Sequence, residues 1–326
     1  TVAAPVADNV SQRRAAGDCL VTSTADSGSG SFRACLEAAV VGTSITFDPS
    51  SFPPNQPATI RVQAGLPHIL MGSLTIDASN AGVILDGSLL PPEAPGLYLR
   101  SPGNVIRGLQ LLRFPGNPIA VASSDNMIGG SREIGSGPVG QGNVVSGSTG
   151  WSAITLSGDN VTGNIVEGNL VGVDATGRQA LPNAGVGIWV GGGAARNRIR
   201  NNVAGANTNG INLASGAVDN IVQGNYAGTD VTGAEPIGNT LSGIVVETGA
   251  YGNSVLNNLV SGNLIHGIAV SDPGTGFNSI VGNVIGTDVT GTKALPNKLC
   301  AAINGLGAVF TRFENNMVSG NHQGFC

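Results

Sequence analysis

Charge is scarce in this 326-residue chain: Asp, Glu, Lys and Arg together make up 11% of it, and aromatic residues 4%, where roughly a quarter charged is usual. Apolar residues still reach 41%, which excludes a charge-rich disordered chain. With 15 Lys and Arg, scattered, against 20 Asp and Glu, no basic stripe exists to neutralise phosphates, so nucleic acid is not an expected partner. Long hydrophobic runs are missing too. Stretches such as "GLPHILMGSLTI" are short and interrupted, which argues against membrane insertion. There is no G-x-S-x-G, Walker loop or Cys-x-x-Cys, and His68, His266 and His322 share no ligand spacing, so neither a cofactor nor a metal is expected.

What the chain has in abundance is glycine, 51 of them, and repetition. "GNLVGVDATGRQALPN" (168–183), "GNYAGTDVTGAEPIGN" (224–239) and "GNVIGTDVTGTKALPN" (282–297) are copies of one segment. Interleaved are "NVVSG", "NVAG", "NLVSG" and "NMVSG". The combined series Asn143, Asn169, Asn202, Asn225, Asn258, Asn283, Asn316 advances by 26, 33, 23, 33, 25 and 33 residues. A step near 24 suits one coil of three short stacked strands, and the longer step is that coil with about ten extra residues.

The flanking segments "NIVEGN", "NIVQGN", "GIWV" and "GIVVE" are brief, alternating and rich in Val and Ile, as strands are. Asn at a recurring corner tolerates a left-handed backbone and can hydrogen-bond to its copies above and below. A second column, Asn164, Asn197, Asn220, Asn253 and Asn278, lies five residues upstream in most coils. Asp174, Asp230 and Asp288 stand at a turn position before x-Thr-Gly and are read as turn formers in a row along one side. In the N-terminal third, Phe32, Cys35, Leu36, Ala39 and Val40 fall at helical spacing between a capping Ser31 and a terminating Gly42.

The expected organisation is an extended arm over 1–18, a cap with an amphipathic helix and a first strand over 19–59, and about ten coils over 60–326. Cysteines sit in pairs at the two ends, Cys19 with Cys35 and Cys300 with Cys326, favouring local disulfides and an oxidising compartment. Asn9 and Asn160 head N-glycosylation tripeptides, relevant in a glycosylating host. A start at "TVAAPVADN" without Met reads as a processed, secreted chain.

"SGSFRACLEAAVVGTSITFDP" followed by Asn- and Gly-rich coils resembles the right-handed parallel β-helix repeat proteins of bacterial surfaces and secretions, whose cap reads "GSLREAI" before "I-x-F". The resemblance implies an all-β, single-stranded right-handed parallel β-helix with an N-terminal capping helix. It also implies a location outside the cell or on its surface. It spans adhesins, surface-layer components and polysaccharide-degrading enzymes.

A site for polysaccharide cleavage needs clustered acids with a basic neighbour. Among acids outside the repeat, Glu247 and Asp272 replace Gly191 and Ser215 of aligned coils and are the catalytic candidates. Trp189, in "GIWV", is the candidate sugar contact. With no acid cluster in register, the sequence favours a structural or adhesive rod, assembling head-to-tail through the arm or meeting a surface polysaccharide. A polysaccharide lyase or glycoside hydrolase working in a groove on one face is the alternative.

Overall fold

The computed structural model describes residues 17–305 and 307–326. All but the last two residues of the expected arm, and Asn9 with them, lie outside the described residues. From residue 17 the chain is a right-handed parallel β-helix, with three parallel sheets of eleven, ten and nine strands among the described residues. From the strand Thr75–Asp77 onward every coil adds one strand to each sheet. In the first sheet Ile165, Arg198, Ile221, Ser254, Ser279 and Arg312 stand in register from coil to coil.

Alternation along each strand sends one set of side chains into the rod. Val166, Ile199, Val222, Val255 and Ile280 of the first sheet meet Val171, Val260 and Ile285 of the second and Ile188, Ile211 and Ile268 of the third in one buried core. A coil alone cannot cover these residues, so stability comes from stacking.

The helix Phe32–Ala38 closes the N-terminal end, with Ser31 Oγ accepting from the Ala34 amide (3.1 Å) and Phe32, Cys35 and Leu36 facing inward. It ends sooner than the spacing suggests: Ala39 is already extended, and Val40 is exposed rather than on the buried face. Cys19 and Cys35 are bonded, tying the helix to the strand Cys19–Val21, which pairs with Ser44–Phe47. Parallel strand pairing thus begins at Cys19, within the cap segment. Cys300 and Cys326 are bonded at the other end.

Three corners separate the sheets, and each carries an asparagine ladder. Both columns read from the sequence are present, including Asn164 to Asn197 (2.9 Å) and Asn202 to Asn225 (3.0 Å). The third, Asn183, Asn207, Asn239, Asn263, Asn297 and Asn321, includes the closing Asn of each long motif. In every rung except Asn183 to Asn207, where only the side chain donates, the Oδ1 of one Asn accepts both the backbone and side-chain N–H of the Asn before it. Buried amides are thereby satisfied without water.

The long repeats form a second layer. The loops beginning at Asp174, Asp230 and Asp288 fold back over the outer side of the second sheet, where Val144, Leu170 and Val203 join Val173 and Ile237 in a separate buried cluster. Successive loops touch: Val231 N–H donates to Gly177 O (2.9 Å) and Val289 N–H to Gly233 O (3.0 Å). Although two coils separate their starting points, each loop leans across the short coil between. An insertion over 130–142 closes one end of this layer with Val139, anchored by Arg132 donating to Gly168 O (3.1 Å) and Asn201 O (3.0 Å).

Candidate functional site

With the second sheet covered and the first carrying ion pairs such as Arg107 with Asp77 and Arg200 with Glu167, the third sheet is left as the aromatic face. Its outward column runs Tyr98, Ala120, Thr155, Trp189, Asn212, Val245, Ala269, Ile303. In "LYLR" Leu97 and Leu99 point inward, which turns Tyr98 outward.

Trp189 lies down along the sheet, because the next outward position is Gly191: a Cβ there would run into the indole. Trp151, from the turn one coil earlier, stands at 79° to it with ring centres 4.9 Å apart. Wall and floor thus meet at a right angle. Asn117, with its amide set to satisfy both ends, accepts from Trp151 Nε1 (3.2 Å) and donates to Ser152 O (3.0 Å), fixing the wall.

From this corner a groove of about 630 Å³ runs over Thr155, Ala120 and Ala122 to Tyr98, edged by the turns carrying Glu93 and Asn117. Small floor residues give it depth. At the far end His68 packs edge-on against Tyr98 (5.0 Å) and the Arg100 guanidinium stands over the same ring (5.7 Å). Glu93 is the one charged residue lining the groove.

Glu247 lies on the same face, two coils beyond Trp189, where its Oε1 accepts from Asn212 Nδ2 (2.9 Å) of the coil between. Asp272 is in the turn after the next strand, its Oδ2 accepting from Thr248 Oγ1 (3.2 Å). The two are neighbours through Thr248, but among the described residues neither forms an ion pair. Nor do the described residues hold a group of three or more His, Cys, Asp or Glu suited to a metal.

The three repeated aspartates lie away from the groove, over the second sheet. Asp288 Oδ1 accepts from Thr290 Oγ1 (2.9 Å) and from the Thr292 (3.0 Å) and Lys293 (3.1 Å) amides. The Lys293 amide above all holds its carboxyl below the usual range. Asp174 and Asp230 repeat the pattern. His266 sits at the corner before a third-sheet strand, and burial pushes its imidazole below the ordinary value. Asn160 is exposed in the turn after Ser152–Ser157.

Sequence reasoning singled out Trp189 without its neighbour Trp151, weighed His68 only as a metal ligand, and gave no role to Tyr98, Arg100, Asn117 or Glu93. These residues precede or fall outside the clear repeats, and the two indoles occupy different positions of their coils. Alternation in "LYLR" was the available signal.

The fold and this face define a right-handed parallel β-helix protein with an aromatic groove on one sheet. No family model matches the sequence, and no curated protein matches it either. Among solved structures it is similar to pectate lyase Pel9A, with a TM-score of 0.53 and 14% identity over 89% of this chain and 74% of that one. It is also similar to a point mutant of the periplasmic alginate epimerase AlgG, with a TM-score of 0.50 and 13% identity over 87% of this chain and 67% of that one. At such identities the likeness is one of fold.

Proposed function

We propose that this chain is a secreted, carbohydrate-active β-helix protein that lays a polysaccharide strand along the groove of the third sheet. The observation that carries the reading is the right-angled pair Trp151 and Trp189, held by Asn117 and Gly191 and continued by Tyr98. Apolar faces of sugar rings stack on such surfaces, while neighbouring hydroxyl and amide groups meet their edges. Similar folds belong to proteins named as a pectate lyase and an alginate epimerase, which supports polysaccharide as the ligand class. The two disulfides fit an oxidising compartment.

Glu93 is the groove's one carboxylate, so it is the proposed proton donor if a glycosidic bond is cleaved. Glu247 is no match for it: five third-sheet steps from Tyr98 to Val245 amount to roughly 24 Å, well beyond the spacing of a hydrolytic pair. Binding is the part of the reading that the geometry supports best.

Affinity electrophoresis against a panel of polysaccharides, with parallel assays for reducing ends and for the ultraviolet absorbance of unsaturated products, tests it. Retardation by at least one polymer that Trp151→Ala and Trp189→Ala abolish is the expected result. Failure of every polymer to bind would overturn it. Binding with no product identifies an adhesive protein, and product formation an enzyme in which Glu93→Gln should bind without turnover.

A self-assembling structural rod is the second reading. It is favoured by an exposed aromatic row, Tyr251, Phe277 and Phe310, with ring centres 5.1 and 4.9 Å apart and leading to the last described coil. Sedimentation that grows with protein concentration would support it; a monomer at all concentrations would exclude it.

A further inference from the structure

Charge in the groove bears on which polysaccharide it takes, an inference that rests on the reading just proposed. We infer that the ligand is an uncharged glycan and not a polyuronate or sulfated chain. A strand along the axis from His68 to Trp189 crosses four coil steps, roughly 19 Å, enough for about four sugar residues. A polyuronate of that length would bring a negative charge per residue. The groove offers it no lysine or arginine among its lining residues and instead presents the Glu93 carboxylate.

Arg100 stands at one end only, engaged over the Tyr98 ring. On the rod's other faces three guanidinium groups are engaged by carboxylates, Arg107 with Asp77 and Arg200 with Glu167 in the first sheet and Arg113 with Asp86 beside the second. Desolvating several carboxylates against aromatic rings without partners is unfavourable. A neutral chain incurs no such penalty: its ring faces stack on Trp189 and Tyr98, and its hydroxyls reach Thr155, Ser157 and Asn117, all in the groove lining or its aromatic corner.

The test compares neutral glucan, mannan, xylan and galactan with polygalacturonate and alginate, by affinity electrophoresis and by calorimetry at low and moderate salt. Expected is binding of a neutral polymer, insensitive to salt, falling at least tenfold in Trp189→Ala and in Gly191→Ala, whose new methyl lifts the indole. Thermal melts confirm that each variant is folded, and Trp151→Ala serves if one is not. Ala122→Arg should add measurable polyuronate binding. Salt-sensitive polyuronate binding that Trp189→Ala abolishes would overturn the neutral-ligand inference and leave the groove reading standing. Binding of any polymer that survives all three aromatic-corner variants would overturn the groove reading itself.

Discussion

Asn225 shows what the corner asparagines contribute. Its Nδ2 donates to Ile199 O (2.9 Å) and to Asn258 Oδ1 (3.0 Å), while its Oδ1 accepts the backbone (3.0 Å) and side-chain (3.0 Å) N–H of Asn202. Asn225→Leu keeps the branched shape but leaves buried donors and an acceptor unpaired, at about 1–3 kcal/mol for each such group. The expected loss is about 3 kcal/mol or more, read as a shift in the denaturant midpoint, whereas Asn160→Leu on an exposed turn should change little. Aspartates give a pH signature at the same scale. The Asp288 carboxyl is held low chiefly by the Lys293 amide; for Asp77 burial pushes up, but the Arg107 and Ser79 hydrogen bonds override it. Each folded value lies below the ordinary 3.8, so their contribution is fully present above that pH and fades as pH falls through the lower folded values. Melting temperature should therefore drop on acidification below about pH 4, and Asp77→Asn should flatten part of that slope. A melting temperature independent of pH in this range would refute the assignment.

Loops and strands meet at the next scale, where the Asp-x-Thr-Gly repeat acts as a cover for the second sheet. Its glycine has a positive φ in all three copies, 67°, 69° and 75° at Gly177, Gly233 and Gly291, a conformation that disfavours a side chain. A Cβ on Gly233 would also press on Leu259 and Val289 at 2.9 Å, so the loop lies close to what it covers. Ile237 closes the layer at 8% exposure. Ile237→Ala should cost about 2 kcal/mol or more, measured by urea unfolding, and should raise binding of a hydrophobic dye as the layer loosens; an unchanged midpoint would mean that the loops carry no packing energy. The turn itself was legible, because Asp, Thr and Gly recur in fixed order. Where it folds was not: Leu170, Val203 and Leu259 read as interior residues of a strand, and only the stacked coil shows that they face outward. The third asparagine ladder escaped for a related reason, since Asn183, Asn239 and Asn297 close long motifs while Asn207, Asn263 and Asn321 follow short ones.

Over the whole molecule, stacked coils divide the work among faces. The first sheet is paired with charge, the second is covered by loops, and the third is open and aromatic. Periodicity in the sequence determines the rod, because every coil must repeat the same inward positions. It says little of the groove, which is made by residues that break the repeat and meet through side-chain reach, as Trp151 and Trp189 do. The same one-dimensional architecture makes stability local, since each coil contacts only its neighbours. Cys300 and Cys326 close 26 residues between two adjacent third-sheet strands, worth about 3.5 kcal/mol in the chain-entropy account. Many side chains of that terminal coil are exposed, Met317 and Phe325 among them, so the covalent tie holds what packing does not. Reduction, or Cys326→Ser, should accelerate amide hydrogen exchange across 312–326 while the asparagine ladders from Asn143 to Asn258 keep their protection. Cys19→Ser should loosen the helix Phe32–Ala38 and leave the terminal coil untouched. Were reduction to raise exchange uniformly along the chain, the rod would be unfolding as one cooperative body, and the nearest-neighbour account of its stability would be wrong.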